Sequence, residues 1–138
     1  MTKMKAYRLL DWQQKPQVVE VDIPIPQKGE VLVKVAGNGL CHSDISMGAM
    51  PKEVGEQINW QVPFTLGHEI GGYVEQIGEG VVGFEIGDPV VATSSEFCGE
   101  CEFCVKGLTN NCDYGFTGRG YGRDGGLADY VLIKNPKH

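Results

Sequence analysis

Gly29-Glu30-Val31-Leu32-Val33-Lys34-Val35-Ala36 is the stretch from which the fold can be read. Val31, Val33 and Val35 alternate with Leu32, Lys34 and Ala36, the two-residue period of a β-strand with a valine face turned to a core. Gly37 and Gly39 end it. Upstream, residues 5–10 and 17–22 are short apolar-rich runs separated by Gln13, Gln14, Lys15 and Pro16. Pro24 and Pro26 then interrupt pairing, because proline has no N–H to give a sheet ladder. Downstream, a short helix is expected within residues 40–50, and an exposed polar loop carrying Trp60 over residues 52–61. Residues 70–77, 88–93 and 127–134 return to strand composition, with glycine-rich turns between them. Many short strands with Gly and Pro turns predict a mainly β fold, a barrel or a sandwich.

Composition agrees. Twenty glycines in 138 residues are about twice the ordinary usage, and each would cost a helix interior about 1 kcal/mol, so a helix bundle is disfavoured. Hydrophobic residues at 41% and charged residues at 22% fit a globular domain and exclude a disordered or membrane class. A net charge of −6 disfavours nucleic acid as a partner. No apolar run approaches the roughly 20 residues that span a bilayer, and the first eleven residues lack a signal-peptide core. A cytoplasmic, reducing setting is therefore expected, where thiols bind metals more often than they pair. The five cysteines leave one outside any even framework.

Cys98, Cys101, Cys104 and Cys112 give C-x2-C-x2-C-x7-C inside residues 94–111 and just beyond, a stretch with no apolar periodicity to fold it. Cysteines two residues apart in a tight loop can converge on one tetrahedral zinc, and metal binding then supplies the missing folding free energy. Two disulfides are the bland alternative, disfavoured without a secretory leader. An iron–sulfur cluster is the sharper one, but its bacterial run has x3 before a fourth cysteine followed by proline, whereas here x7 precedes Cys112 and Asp113 follows. A closed four-thiolate shell leaves no place for substrate, so this zinc is expected to be structural. Lys106 and Arg119 are candidate neutralisers of its charge.

The fifth cysteine opens Cys41-His42-Ser43-Asp44, and His68, in the run Gly67-His68-Glu69, lies 27 residues after it. Separately, each run reads as a buried cysteine, a helix cap and a loop histidine. Together, beside a four-cysteine signature, they resemble the medium-chain, zinc-dependent alcohol dehydrogenases. Gly67-His68-Glu69 with Gly72, Gly78 and Val81 is similar to that family's zinc signature, Cys41-His42-Ser43-Asp44 to its first catalytic-zinc segment, and the cysteine cluster to its structural-zinc lobe.

The resemblance implies a GroES-like, partly open β-barrel with a few short helices, occupying residues 1–138 with the structural-zinc lobe at 94–113. Cys41 and His68 would ligate a catalytic zinc, and Glu69 would stand beside it or alternate as a ligand. Asp44 would accept from the other ring nitrogen of His68, Ser43 would meet the substrate hydroxyl, and His42 would meet the cofactor pyrophosphate. The implied reaction oxidises alcohols, or reduces aldehydes and ketones, by hydride transfer to NAD or NADP from an alkoxide stabilised on zinc. Partners would be the small-molecule alcohol or carbonyl and, for a full-length protein, identical subunits.

Departures from the family pattern are also legible. Ser46 stands where some relatives end a proton relay with histidine, Pro89 where arginine is common, and Ser94 where a pocket aromatic is common. A roomier pocket, open to secondary or bulky alcohols, is expected from the last. No G-x-G-x-x-G opens a helix, and Gly118-x-Gly120-x-Gly122 has no helix after it. A dinucleotide-binding domain is thus expected to be absent from this stretch, and the stretch alone to be inactive. Competing classes are a non-enzymatic zinc-stabilised β module, a GroES-like co-chaperonin subunit and an iron–sulfur carrier. None of the three uses both metal constellations.

Overall fold

The computed structural model describes residues 1–115 and 117–137, so His138, the last residue of the expected domain, lies outside it. Strand β1 (Lys3–Leu9) pairs antiparallel with β2 (Gln17–Asp22), Lys3 opposite Asp22, and on its other edge with the two-residue β4 (Phe64–Thr65). A second, fully antiparallel sheet runs β6 (Pro89–Ala92), β5 (Ile70–Ile77), β3 (Val31–Asn38), β9 (Tyr130–Ile133). One bridge, Ala6 to Ala128, and the Tyr7 N–H to Leu127 carbonyl bond of 2.8 Å join the sheets. Among the described residues the ladder does not close, giving the mainly β fold that the strand pattern predicts in the partly open form that the resemblance implies.

The valine face of β3 is where the alternation puts it. Val31 and Val33 are buried with Ile70, Val74, Val131 and Ile133, and Val35 packs at their margin. Leu32 is buried as well, so this end of β3 is covered on both faces. The pairing of β3 with β5 slips twice, at Leu32/Val33 and Val35/Gly37, irregularities of the kind that bend and twist a strand.

Residues 52–61 correct the sequence reading. They contain a helix, α2 (Lys52–Gln57), and Trp60 is buried at 7% exposure. Six residues are too few for a helical hydrophobic period to show. The glycine within α2, Gly55, lets the helix lie flat on the Trp12 indole, where a Cβ would overlap the ring. Asn59, at φ 59°, then reverses the chain and drops Trp60 into a second core with Leu9, Met47, Phe64 and Leu66.

The glycine-rich segment before β9 holds two short strands, β7 (Gly118–Arg119) and β8 (Gly122–Arg123), parallel to each other. Its backbone lies directly on the chain leading into β5. Gly125, Gly126 and Leu127 donate N–H bonds of 2.8–2.9 Å to the carbonyls of Thr65, Gly67 and Leu66. A Cβ on Gly120, whose φ is +76°, would stand 2.6 Å from the Gly67 carbonyl group. Gly120→Ala is therefore expected to cost about 2 kcal/mol or more, from left-handed strain plus a contact between backbones that cannot yield. An unchanged urea midpoint of the zinc-loaded protein would contradict this.

Candidate metal centres

Helix α1 (His42–Met47) starts at Cys41, whose extended backbone precedes the first turn. Asp44 bends back to accept the Cys41 N–H on Oδ2 at 3.1 Å, which closes the turn and places Asp44 in the interior at 7% exposure. Its other oxygen, Oδ1, faces His68 Nδ1 at 3.5 Å. Both atoms are buried and neither makes a hydrogen bond, so each is the other's near polar neighbour. One carboxylate oxygen of Asp44 thus closes the start of the helix, and the other lies toward the His68 ring.

His68 is delivered from the opposite side by the 64–70 segment that the glycine loop braces. The Cys41 sulfur, a His68 ring nitrogen and a Glu69 carboxylate oxygen all lie within 4.8 Å of one another. Glu69 Oε1 is 3.9 Å from His68 Nε2. Room for that carboxylate comes from Gly39, where a Cβ would overlap it. Ser43 Oγ reaches His68 Nε2 at 3.4 Å. His42, by contrast, is exposed, on the rim of an open cleft of about 1100 Å³ shared with Leu40, Cys41 and Ile45. The fold thus gathers Cys41, Ser43, Asp44, His68 and Glu69 at one point and leaves His42 at its edge.

One member of this cluster escapes sequence reasoning. Tyr121, from the glycine loop, puts its hydroxyl 3.0 Å from both Ser43 Oγ and His68 Nε2, its ring 4.4 Å from the imidazole and 5.8 Å from Trp60. Nothing local marks it, because its approach depends on the loop stacking on Gly67.

The second centre stands apart. A four-residue helix, α3 (Glu102–Val105), and the 3-10 turn Thr109–Asn111 fold the cysteine segment so that the sulfurs of Cys98, Cys101, Cys104 and Cys112 lie within 4.8 Å of one another. None is in a disulfide, and Cys98 Sγ is 3.9 Å from Cys104 Sγ. A tetrahedron with metal–sulfur bonds of about 2.3 Å has edges of about 3.8 Å. Backbone N–H groups of Glu100 and Cys101 point at Cys98 Sγ, at 3.4 and 3.2 Å, and those of Cys98 and Tyr114 at Cys112 Sγ, at 3.4 and 3.5 Å. Such donors favour thiolates. Bonding from the Asp113 backbone lowers the Cys101 thiol to about 6, whereas burial pushes the Cys104 thiol up to about 12. The charge of a bound cation would offset that burial penalty and favour the thiolate. Neither candidate neutraliser is placed for that role by the contacts it makes: Lys106 pairs with Glu102, and buried Arg119 donates to the Thr93 carbonyl at 3.2 Å.

Both donor sets fit zinc on their chemistry: four thiolates in one, and thiolate, imidazole and carboxylate in the other. The sequence matches the family described as alcohol dehydrogenase GroES-like domain over residues 27–138. An NAD-dependent alcohol dehydrogenase of Sulfurisphaera tokodaii is 36% identical over 98% of this chain, which spans 40% of that relative. A cobalt- and zinc-bound thermostable alcohol dehydrogenase from Pyrobaculum aerophilum superposes on 96% of the chain with a TM-score of 0.81 at 30% identity, 39% of that protein being covered. A short chain alcohol dehydrogenase from Escherichia coli CFT073, complexed with NADH, superposes on the whole chain with a TM-score of 0.83 at 30% identity, 38% of it being covered. With most of its length matched by the family and its fold shared with these enzymes, the chain belongs to the alcohol dehydrogenase GroES-like domain family.

Proposed function

We propose that this chain is the substrate- and zinc-binding part of an NAD(P)-dependent alcohol dehydrogenase acting on small alcohols or the corresponding carbonyl compounds. The observation that supports this most is the convergence of Cys41, His68 and Glu69, with Asp44 behind the histidine, beside a separate four-cysteine cluster. A scaffold stabilised by zinc needs the cluster alone.

In this reading Cys98, Cys101, Cys104 and Cys112 hold a structural zinc, and Cys41 and His68 hold a catalytic one with Glu69 as neighbour or alternating ligand. Bound zinc supplies Lewis acidity at the alcohol oxygen, and the nicotinamide takes the hydride. The chain's residues do the rest. Asp44 Oδ1, 3.5 Å from Nδ1, is placed to favour the His68 hydrogen on that nitrogen, which would leave the Nε2 lone pair for the site. Ser43 takes the proton of the substrate hydroxyl while passing its own outward, and its hydroxyl then donates to the deprotonated substrate oxygen. His42, exposed at the cleft rim, faces the cofactor pyrophosphate. Ser94 leaves out an aromatic wall and favours secondary or bulky alcohols, while Tyr121 supplies aromatic surface on the His68 side.

Gly118 in β7, Gly122 in β8 and Gly120 between them are not assigned to the cofactor, because no helix follows them among the described residues. The test is alcohol-dependent reduction of NAD⁺ or NADP⁺. The intact zinc-loaded protein is expected to turn over and residues 1–138 alone are not. Turnover by the short chain would refute the division of labour, and an intact protein inert toward primary alcohols, secondary alcohols and carbonyls would refute the activity. Asp44→Asn, which weakens the orientation of His68, is expected to lower zinc-site affinity or kcat/KM about 10–100-fold.

A further inference from the structure

We infer that Tyr121 is a positioning residue of the catalytic pocket, one that sets the direction of the Ser43 hydroxyl through a hydrogen bond of its own. This rests on the proposed dehydrogenase site. The Tyr121 ring is fixed from two sides, by the His68 imidazole at 4.4 Å and the Trp60 indole at 5.8 Å, so its hydroxyl has little freedom. Trp60 is itself fixed in the second core, edge-on to Phe64 at 5.9 Å. The backbone beneath Tyr121 is equally constrained, with its N–H bonded to the Gly118 carbonyl and its carbonyl accepting from the Gly118 N–H, both at 2.9 Å.

The hydrogen-bond directions follow from Asp44. Its Oδ1 lies 3.5 Å from Nδ1, where a negative carboxylate favours a hydrogen on that nitrogen, so we assign the ring hydrogen to Nδ1 and the acceptor role to Nε2. Tyr121 therefore donates to Nε2, and its oxygen is left to accept from Ser43, each at 3.0 Å. When the Nε2 lone pair is engaged by metal, the Tyr121 hydrogen has Ser43 Oγ as its remaining acceptor within reach. The Ser43 hydrogen is then released toward the substrate oxygen. A serine hydroxyl rotates freely unless held, and with Nε2 taken Tyr121 is the partner left to hold it. The phenol also competes with metal for His68, so it weakens metal binding slightly while preserving the orientation of the ring.

Tyr121→Phe keeps the ring packing and removes only the hydroxyl, so the test uses this change, Ser43→Ala and the double variant in the intact enzyme. Tyr121→Phe is expected to retain full zinc content and to lower kcat/KM by about three- to tenfold, the worth of one neutral hydrogen bond. Adding it to Ser43→Ala is expected to cost nothing further, because the phenol acts through the serine. Independently of turnover, cobalt titration of the metal-free protein is expected to show a severalfold tighter Cys41–His68 site in Tyr121→Phe. An unchanged kcat/KM, multiplicative effects in the double variant, or an unchanged cobalt affinity each overturn the assignment. If the unsubstituted intact enzyme oxidises no alcohol, the dehydrogenase reading itself fails, a result distinct from any of these.

Discussion

Cys41→Ala in the intact, zinc-loaded protein is expected to remove one zinc per chain and to lower alcohol turnover by about 10³-fold or more. A metal acting as Lewis acid contributes several kcal/mol at the developing oxygen charge, and each 1.4 kcal/mol is about tenfold in rate. The site has three donors within 4.8 Å, and Cys41 is the one sulfur among them. Without it, His68 and an exposed Glu69 leave a nitrogen–oxygen pair too poor to retain zinc against water. The fold is expected to survive, because Cys41 is half-buried at a helix start and its backbone bond to Asp44 does not depend on the sulfur. Zinc analysis with steady-state kinetics checks this. Undiminished zinc with full turnover would remove Cys41 from the site.

The second large effect belongs to the lobe. Cys104→Ala, or a chelator strong enough to strip the four-cysteine site, is expected to unfold residues 98–112 locally. Apparent binding free energies of structural zinc in small zinc-dependent domains are about 10–16 kcal/mol near neutral pH. The lobe has no comparable resource of its own. Its apolar side chains Phe103, Val105 and Leu108 are exposed, and Cys104 and Cys112 are the buried residues of its interior. Limited proteolysis should find new cleavage sites within 98–112, and zinc content should fall by one. Because binding displaces thiol protons, zinc retention should also weaken as pH falls. Continued protease resistance after zinc removal would show that the lobe holds itself together.

The strands were legible because alternation is local. Val31, Val33 and Val35 report their face within five residues, and proline and glycine mark where pairing stops. The four-cysteine centre was legible for a similar reason: Cys98, Cys101 and Cys104 are close in sequence, and short loops can bring their sulfurs together. The helix at Lys52–Gln57 and the burial of Trp60 were not. The helix is only six residues long, and it is placed by Gly55 against Trp12 and by the reversal at Asn59.

Taken by itself, the sequence determined the mainly β class, the donor types and the resemblance that grouped Cys41, Asp44, His68 and Glu69. Residue chemistry and short spacing are properties of the chain and survive without a fold. The tertiary structure decided that these side chains meet, that His42 stays at the rim, and that Tyr121 joins Ser43 and His68 across 78 and 53 residues. The physical reason is the stacking of one glycine loop on another. Where Gly120 and Gly125 lie on Gly67, no side chain separates the two backbones, and a tyrosine without any local signal is carried to within 3.0 Å of the imidazole. Such a contact exists only after the sheets have set the two loops against each other.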